Sequence, residues 1–184
     1  MSLFIPNTYE VYWDTKPKAF LERMIKEHDR FWASSDRLTK AEKLGLSPEE
    51  VYTLASIVER EISKEEEKKR VAGLYLNRVR TGMKLDADPT AKFATKDFKA
   101  TRILYKHTRF DSPYNTYLYK GLPPGPISMA SITSIDAILN SEDHEYFYMC
   151  VDPDNLGYHL FAESLAEHNQ NARRYHRWLD SQGK

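Results

Sequence analysis

A chain of 184 residues is long enough for one domain with a hydrophobic core of its own. With 41% hydrophobic and 29% charged residues it has a water-soluble, globular composition, and the balance of 27 basic against 27 acidic residues implies no nucleic acid or other polyanion as partner. Cys150 is the single cysteine, which excludes an internal disulfide framework. No run of about 18 apolar residues crosses a membrane here, and no signal-peptide pattern is present.

The elements follow in order. Phe4 to Trp13 is aromatic and β-branched and is interrupted by Pro6-Asn7, which predicts an extended arm or edge strand. Pro17 opens a helix to about Trp32, and Ser34-Ser35-Asp36 offers caps for a shorter one ending at Gly45. Ser47-Pro48-Glu49-Glu50 is a full helix start, with Ser47 as cap, Pro48 in the first turn and Glu50 able to reach back. This helix should run to about Ile62. Ser63-Lys64-Glu65-Glu66 repeats the capping pattern for a helix to about Arg80, stopped by Gly82. Met83-Lys84-Leu85 should be extended. Asp86 to Thr90 is a turn that can cap a brief helix over 91–94.

Residues 95–113 show no period. Gly121-Leu122-Pro123-Pro124-Gly125-Pro126 is a rigid loop. A helix is expected from Ser128 to Asn140, a buried strand from Glu145 to Val151, a turn at Pro153–Gly157, a partner strand from Tyr158 to Ala162 and a final helix from Glu163 to Leu179. The fold class is α+β, one domain over 4–184. Met1-Ser2-Leu3 reads as a start placed at an internal boundary of a longer protein.

One carboxylate is oddly placed. At about 100° per residue, Val51, Leu54, Ile57 and Val58 form one apolar stripe, and Glu61 falls about 20° from Leu54. Glu59 falls about 140° away, on the flank. A carboxylate on an apolar stripe loses hydration when ionised, so its pKa should rise until it can serve as a general acid. The bland alternative is a helix end that frays into water, or a pair with Arg78 or Arg80. Other chemistries have weaker support. The six histidines make no HExxH and there are no paired cysteines, so no metal site is expected. No nucleophile elbow, phosphate loop or dinucleotide fingerprint occurs, and Cys150 should be a buried, inert thiol. His159 and His168 can line a site or be held structurally. Asn77 and Arg78 can position a ligand or anchor a loop. Asp86 and Asp88 can supply a second carboxylate, although Asp88 before Pro89 is equally a turn residue.

Several motifs resemble one family in order along nearly the whole chain. They are Leu54-Ala55-Ser56-Ile57-Val58-Glu59-Arg60-Glu61, Leu76-Asn77-Arg78, Gly82-Met83-Lys84-Leu85, Asp88-Pro89-Thr90, Tyr114-Asn115-Thr116-Tyr117, Gly121 to Ile127, and Tyr158-His159-Leu160-Phe161 with His168-Asn169. The chain is similar to the YceG-like endolytic murein transglycosylases. Arg60 and Ile62 stand where the family pattern has Lys and Thr, and residues 95–113 match loosely.

The resemblance implies an enzyme that cuts peptidoglycan glycan strands internally between N-acetylmuramic acid and N-acetylglucosamine, without water, leaving a 1,6-anhydromuramoyl end. It implies Glu61 as the catalytic residue and needs no cofactor. Glu59, Asn77, Arg78, Asp88, Tyr114, Asn115, Tyr117, Pro123, His159 and His168 are the expected substrate-binding residues. It further implies an extracytoplasmic domain preceded by a small LysM-like region and one N-terminal membrane helix of the bacterial inner membrane, working with the peptidoglycan synthesis machinery. A lysozyme-type hydrolase with Asp86, Asp88 or Glu59 as second carboxylate, and a non-catalytic glycan-binding or scaffold domain, are the alternatives.

Overall fold

In the computed structural model, which describes residues 2–182, the chain is organised around one buried helix. The boundary expected at Met1 and the last two positions of the domain expected over 4–184 lie outside the described residues. The central helix, α3 (Pro48–Glu61), starts at the capping box read from the sequence. The Glu50 N–H donates to Ser47 Oγ at 3.2 Å, and the Ser47 N–H donates to the Glu50 carboxylate at 2.8 Å. Every residue from Val51 to Val58 is buried, so α3 is enclosed on all sides.

Before it come α1 (Pro17–Ala33) and α2 (Arg37–Leu44). After it come α4 (Lys68–Arg80), α5 (Asp88–Thr95), α6 (Tyr105–Thr108) and α7 (Ile132–Leu139). A hairpin of β1 (Tyr148–Val151) and β2 (His159–Ala162) and the closing helix α8 (Leu165–Ser181) complete the α+β fold. The strands are antiparallel, with Tyr148 opposite Ala162 and Val151 opposite His159. α3 packs on α7, α4 and α5, and α8 lies against the hairpin. Leu54, Ile57, Val71, Leu74, Ile135 and Ile138 meet at the centre of the core; truncating one such residue to Ala typically costs about 2–5 kcal/mol.

Polar groups stitch α3 to the segment that follows the Pro-rich loop. Ser56 Oγ accepts from the Ile127 N–H at 3.0 Å, and Ser128 Oγ donates to the Ser56 carbonyl at 3.2 Å. Arg37 forms a two-pronged pair with Asp136 at 2.8 and 3.0 Å, which ties α2 to α7. α4 approaches the 142–144 segment so closely that only glycine fits at Gly73: a Cβ there would lie 2.4 Å from the Glu142 carbonyl oxygen and 2.8 Å from His144 Nε2.

Some elements differ from the expectations. Phe4–Trp13 forms turns and unpaired backbone rather than a strand. Ser63 caps nothing: Glu65–Glu67 is a 3-10 turn, and the regular helix begins only at Lys68. Asp36 precedes α2 in the left-handed conformation without a side-chain cap. The helix expected from Ser128 begins at Ile132, capped by Ser131, because residues 127–130 are drawn onto α3 instead. The brief helix expected over 91–94 is two turns long, with Pro89 in its first turn. The illegible 95–113 stretch contains the single turn α6. No helix among the described residues is long and apolar enough to cross a membrane.

Candidate functional site

Glu61 is the last residue of α3, at the junction of two depressions. The first, about 260 Å³, is walled by Arg60, Pro89, Lys92, Phe93, Phe98 and Ile127. The second, about 470 Å³, has Tyr75, Arg78 and Tyr117 among its walls, with Tyr148–Val151 of the hairpin, His159 and His168. Among the described residues, Glu61 and Asp88 line both. Together the depressions form a cleft with a carboxyl group at its waist.

The electrostatics of that carboxyl follow from its surroundings. Glu61 Oε2 is shut away from water and has no hydrogen-bond partner among the described residues. Burial first, then the Asp88 carboxylate, push the Glu61 pKa up to about 7, against Arg78, the Tyr75 hydroxyl and Lys92, which favour ionisation. Near neutral pH the group can therefore hold a proton that an ordinary carboxylate would have lost. Tyr117 donates its hydroxyl to Asp88 Oδ1 at 2.5 Å. Burial, and then this bond to Asp88, raise the Tyr117 phenol far above its ordinary range; burial, and then Glu61, do the same to Tyr75. Both phenols stay protonated.

Glu59, two residues earlier, lies outside the cleft. One of its oxygens accepts from Ser134 Oγ at 2.6 Å, from the Ser131 N–H at 3.2 Å, from Ser131 Oγ, and from Lys68 Nζ at 3.4 Å. Burial alone would raise its pKa, but the hydrogen bonds from Ser131 and Ser134, with the Lys68 charge, hold it down at about 2. Glu59 ties α3 and α4 to the start of α7.

The other expected site residues divide into two groups. Arg78, Asp88, Tyr117, His159 and His168 all line the second depression. Arg78 donates to the Phe147 carbonyl at 2.7 Å and the Leu85 carbonyl at 2.6 Å, so it both faces the cleft and pins its walls. Glu67 holds His159 through Nδ1 at 2.9 Å and the backbone N–H at 3.0 Å. His168 stacks on Tyr148, ring centres 5.3 Å apart, with its pKa lowered by burial and by Arg78.

Asn77, Asn115 and Pro123, by contrast, are not brought to the cleft lining. Asn77 Nδ2 donates to the His144 and Tyr146 carbonyls at 2.7 and 3.2 Å, anchoring the approach to β1. Asn115 is fully buried, and its amide donates to the carbonyls of His107, Thr108 and Phe110. Pro123 is buried under the loop. Tyr114 stands behind the first depression, its ring 4.8 Å from that of Phe93.

Comparison with known proteins agrees with this architecture. The sequence model of the YceG-like family matches residues 1–174. The chain belongs to the YceG-like family. It is 33% identical over 162 residues to the endolytic murein transglycosylase of Bacillus subtilis (strain 168), covering 88% of this chain and 44% of that relative. An endolytic murein transglycosylase of Streptococcus pneumoniae is 27% identical over 170 residues, covering 90% of this chain and 30% of the relative. The 2.6 Å crystal structure of a YceG-like protein from Listeria monocytogenes superposes with a TM-score of 0.77 at 32% identity, over 92% of this chain and 54% of that one. The chain thus spans less than half the length of these two curated relatives.

Within this YceG-like domain, some cleft residues escaped the sequence reading. Tyr75 lies one turn before Arg78 on α4 and could have been found from that spacing. Tyr148 and Cys150 line the cleft with the rest of β1; the Cys150 thiol, expected to be buried, is half-buried, its pKa raised by burial and by Asp152. Lys92 and Phe93 come from α5, where a brief helix was expected, and Phe98 from the illegible 95–113 stretch. No group of three or more His, Cys, Asp or Glu that could hold a metal occurs among the described residues.

Proposed function

We propose that this domain cuts peptidoglycan strands internally, as an endolytic lytic transglycosylase with Glu61 as its one acid-base group. The observation that carries the reading is a buried carboxyl at the waist of a cleft, with its pKa pushed up to about 7. The names of the two relatives, both endolytic murein transglycosylases, support the substrate class.

The chemistry needs one group used twice. Protonated Glu61 donates to the glycosidic oxygen between N-acetylmuramic acid and N-acetylglucosamine as the bond breaks and positive charge grows at the anomeric carbon. Glu61, now a carboxylate, takes the proton from the muramoyl 6-hydroxyl, whose oxygen attacks that carbon and closes the 1,6-anhydro ring. Glu61 ends as it began, protonated, and no water is consumed. A group poised near 7 donates and accepts with similar ease at neutral pH. The Asp88 carboxylate favours the protonated form beforehand and stabilises the cationic centre in the transition state. Tyr117, Tyr148, His159 and His168 provide aromatic faces and polar groups for sugar rings and their acetamido and hydroxyl substituents.

In the whole protein, the domain works on the extracytoplasmic face of the inner membrane, held by an N-terminal membrane helix beyond a LysM-like region and acting beside the peptidoglycan synthesis machinery. A second reading follows from Asp88: a carboxylate in the same cleft can assist water, as in a lysozyme-type hydrolase. Mass spectrometry of digested peptidoglycan decides between the two. Anhydromuramoyl ends are expected; reducing muramic acid ends mean hydrolysis, and intact strands leave only glycan binding.

A further inference from the structure

The first depression differs in character from the second. Two cations, Arg60 and Lys92, stand in it beside Phe93 and Phe98. Neither makes an ion pair with any carboxylate among the described residues, in a chain whose acids and bases are equal in number. Lys92 lies four residues after Asp88 on α5, the spacing at which such a pair forms on a helix. Asp88 is instead engaged by Tyr117. Two unpaired cations on a convex surface would be ordinary solvated charge. Here they share a concavity with the reacting carboxyl. Beside them is an aromatic wall in which Phe93 and Phe98 sit 6.5 Å apart and Phe98 remains 66% exposed.

We propose that the first depression is a carboxylate-binding subsite. In it Arg60 and Lys92 take an acid group carried on the lactyl arm of a muramoyl residue, and Phe93 and Phe98 pack against the arm's apolar atoms. The inference rests on the cleavage reading for the identity of the strand. Arg60 offers a planar fork suited to two carboxylate oxygens, and Lys92 a point charge. When Glu61 is protonated, Asp88 is the one negative charge left on the lining among the described residues. The acid group has two chemical sources: the lactyl carboxylate itself, free where no peptide is attached, and the carboxylates of an attached stem peptide.

Binding decides this on a Glu61→Gln background, where strands are held but not consumed. Three probes are compared by calorimetry: peptide-free glycan strands with free lactyl carboxylates, the same strands with those carboxylates converted to methyl amides, and peptide-bearing strands. Adding Arg60→Gln should weaken carboxylate-bearing strands by about fivefold to tenfold, the size of one charge-assisted contact at a partly exposed site, and leave the methyl amide strands unchanged. A loss on peptide-free strands assigns the lactyl carboxylate; a loss confined to peptide-bearing strands assigns the stem peptide. Equal affinities with and without Arg60→Gln for all three probes, or no binding of any, overturn the subsite. Failure of the cleavage reading shows elsewhere, as a parent protein that leaves strands intact while these affinities still differ.

Discussion

Glu59 and Glu61 stand two residues apart on the same helix and titrate in opposite directions. Glu59 is held at about 2 by hydroxyl, amide and ammonium donors that outweigh its burial, and Glu61 is pushed to about 7 by burial and the Asp88 charge. One carboxylate is permanently charged and joins three helices; the other exchanges a proton at neutral pH in a cleft.

Their replacement by glutamine should separate them. Glu61→Gln should lower strand cleavage by about 10²–10⁴-fold, the usual share of a general acid-base group, while the protein remains folded. Glu59→Gln should retain cleavage in the folded fraction and lose about 1–3 kcal/mol of stability in urea titration, because Ser131, Ser134 and Lys68 lose an ionised acceptor. Equal loss of activity in two equally stable variants would falsify this division.

The pH dependence has a definite sign. The native Glu61 pKa lies above the ordinary value of 4.5, so the folded protein binds more protons than the unfolded chain between about 4.5 and 7. Its contribution to stability is greatest at low pH and is lost as pH rises through that window. Glu59 acts oppositely, stabilising above 4.5 and losing that effect as pH falls toward 2. Glu61→Gln should therefore be more stable than the parent at pH 8, by about 1–3 kcal/mol, with little difference at pH 5. Melting temperatures at the two pH values check it.

Asp88→Asn removes the charge that helps keep Glu61 protonated. The alkaline limb of the cleavage profile should then move to lower pH. An unmoved limb, with the variant folded, would mean that burial alone sets the proton affinity.

Asn115→Ala should act on stability and not on binding. It strips hydrogen bonds from the carbonyls of His107 and Phe110 in the interior, at a cost of about 2–3 kcal/mol. Glycan affinity of the folded fraction should be unchanged. A weakened affinity at full stability would restore Asn115 to the substrate contacts.

Glu61 was legible in the sequence because helical periodicity is a local property, and α3 keeps its period to the last residue. The Ser47 capping box and the hairpin were legible for the same reason, their partners being close in the chain, although the strand expected to be buried from Glu145 begins at Tyr148 and is only half-buried. Asn77 and Asn115 were not. Their motifs resemble a binding site, but their amides are used by carbonyls, and for Asn77 those carbonyls lie 67 and 69 residues away. Ser63 carries a sound capping pattern, yet Glu67 is drawn to His159 across 92 residues and the regular helix starts later. The first depression was not legible because its wall is assembled from segments far apart in the chain: Arg60 at the end of α3, Lys92 and Phe93 on α5, Phe98 beyond it and Ile127 after the Pro-rich loop.

The position of Glu61 at the final turn of α3 has one more consequence. Unsatisfied carbonyls give that end of a helix a partial negative charge, which opposes a second negative charge beside it. One carboxyl oxygen is shut away from water, but the residue as a whole keeps some exposure, so water still borders the group while the cleft is empty. A bound strand expels that water and makes the carboxyl hold its proton more tightly. Occupancy itself thus strengthens the proton's hold, and binding should draw a proton from solution, measurable as a buffer-dependent enthalpy near pH 7.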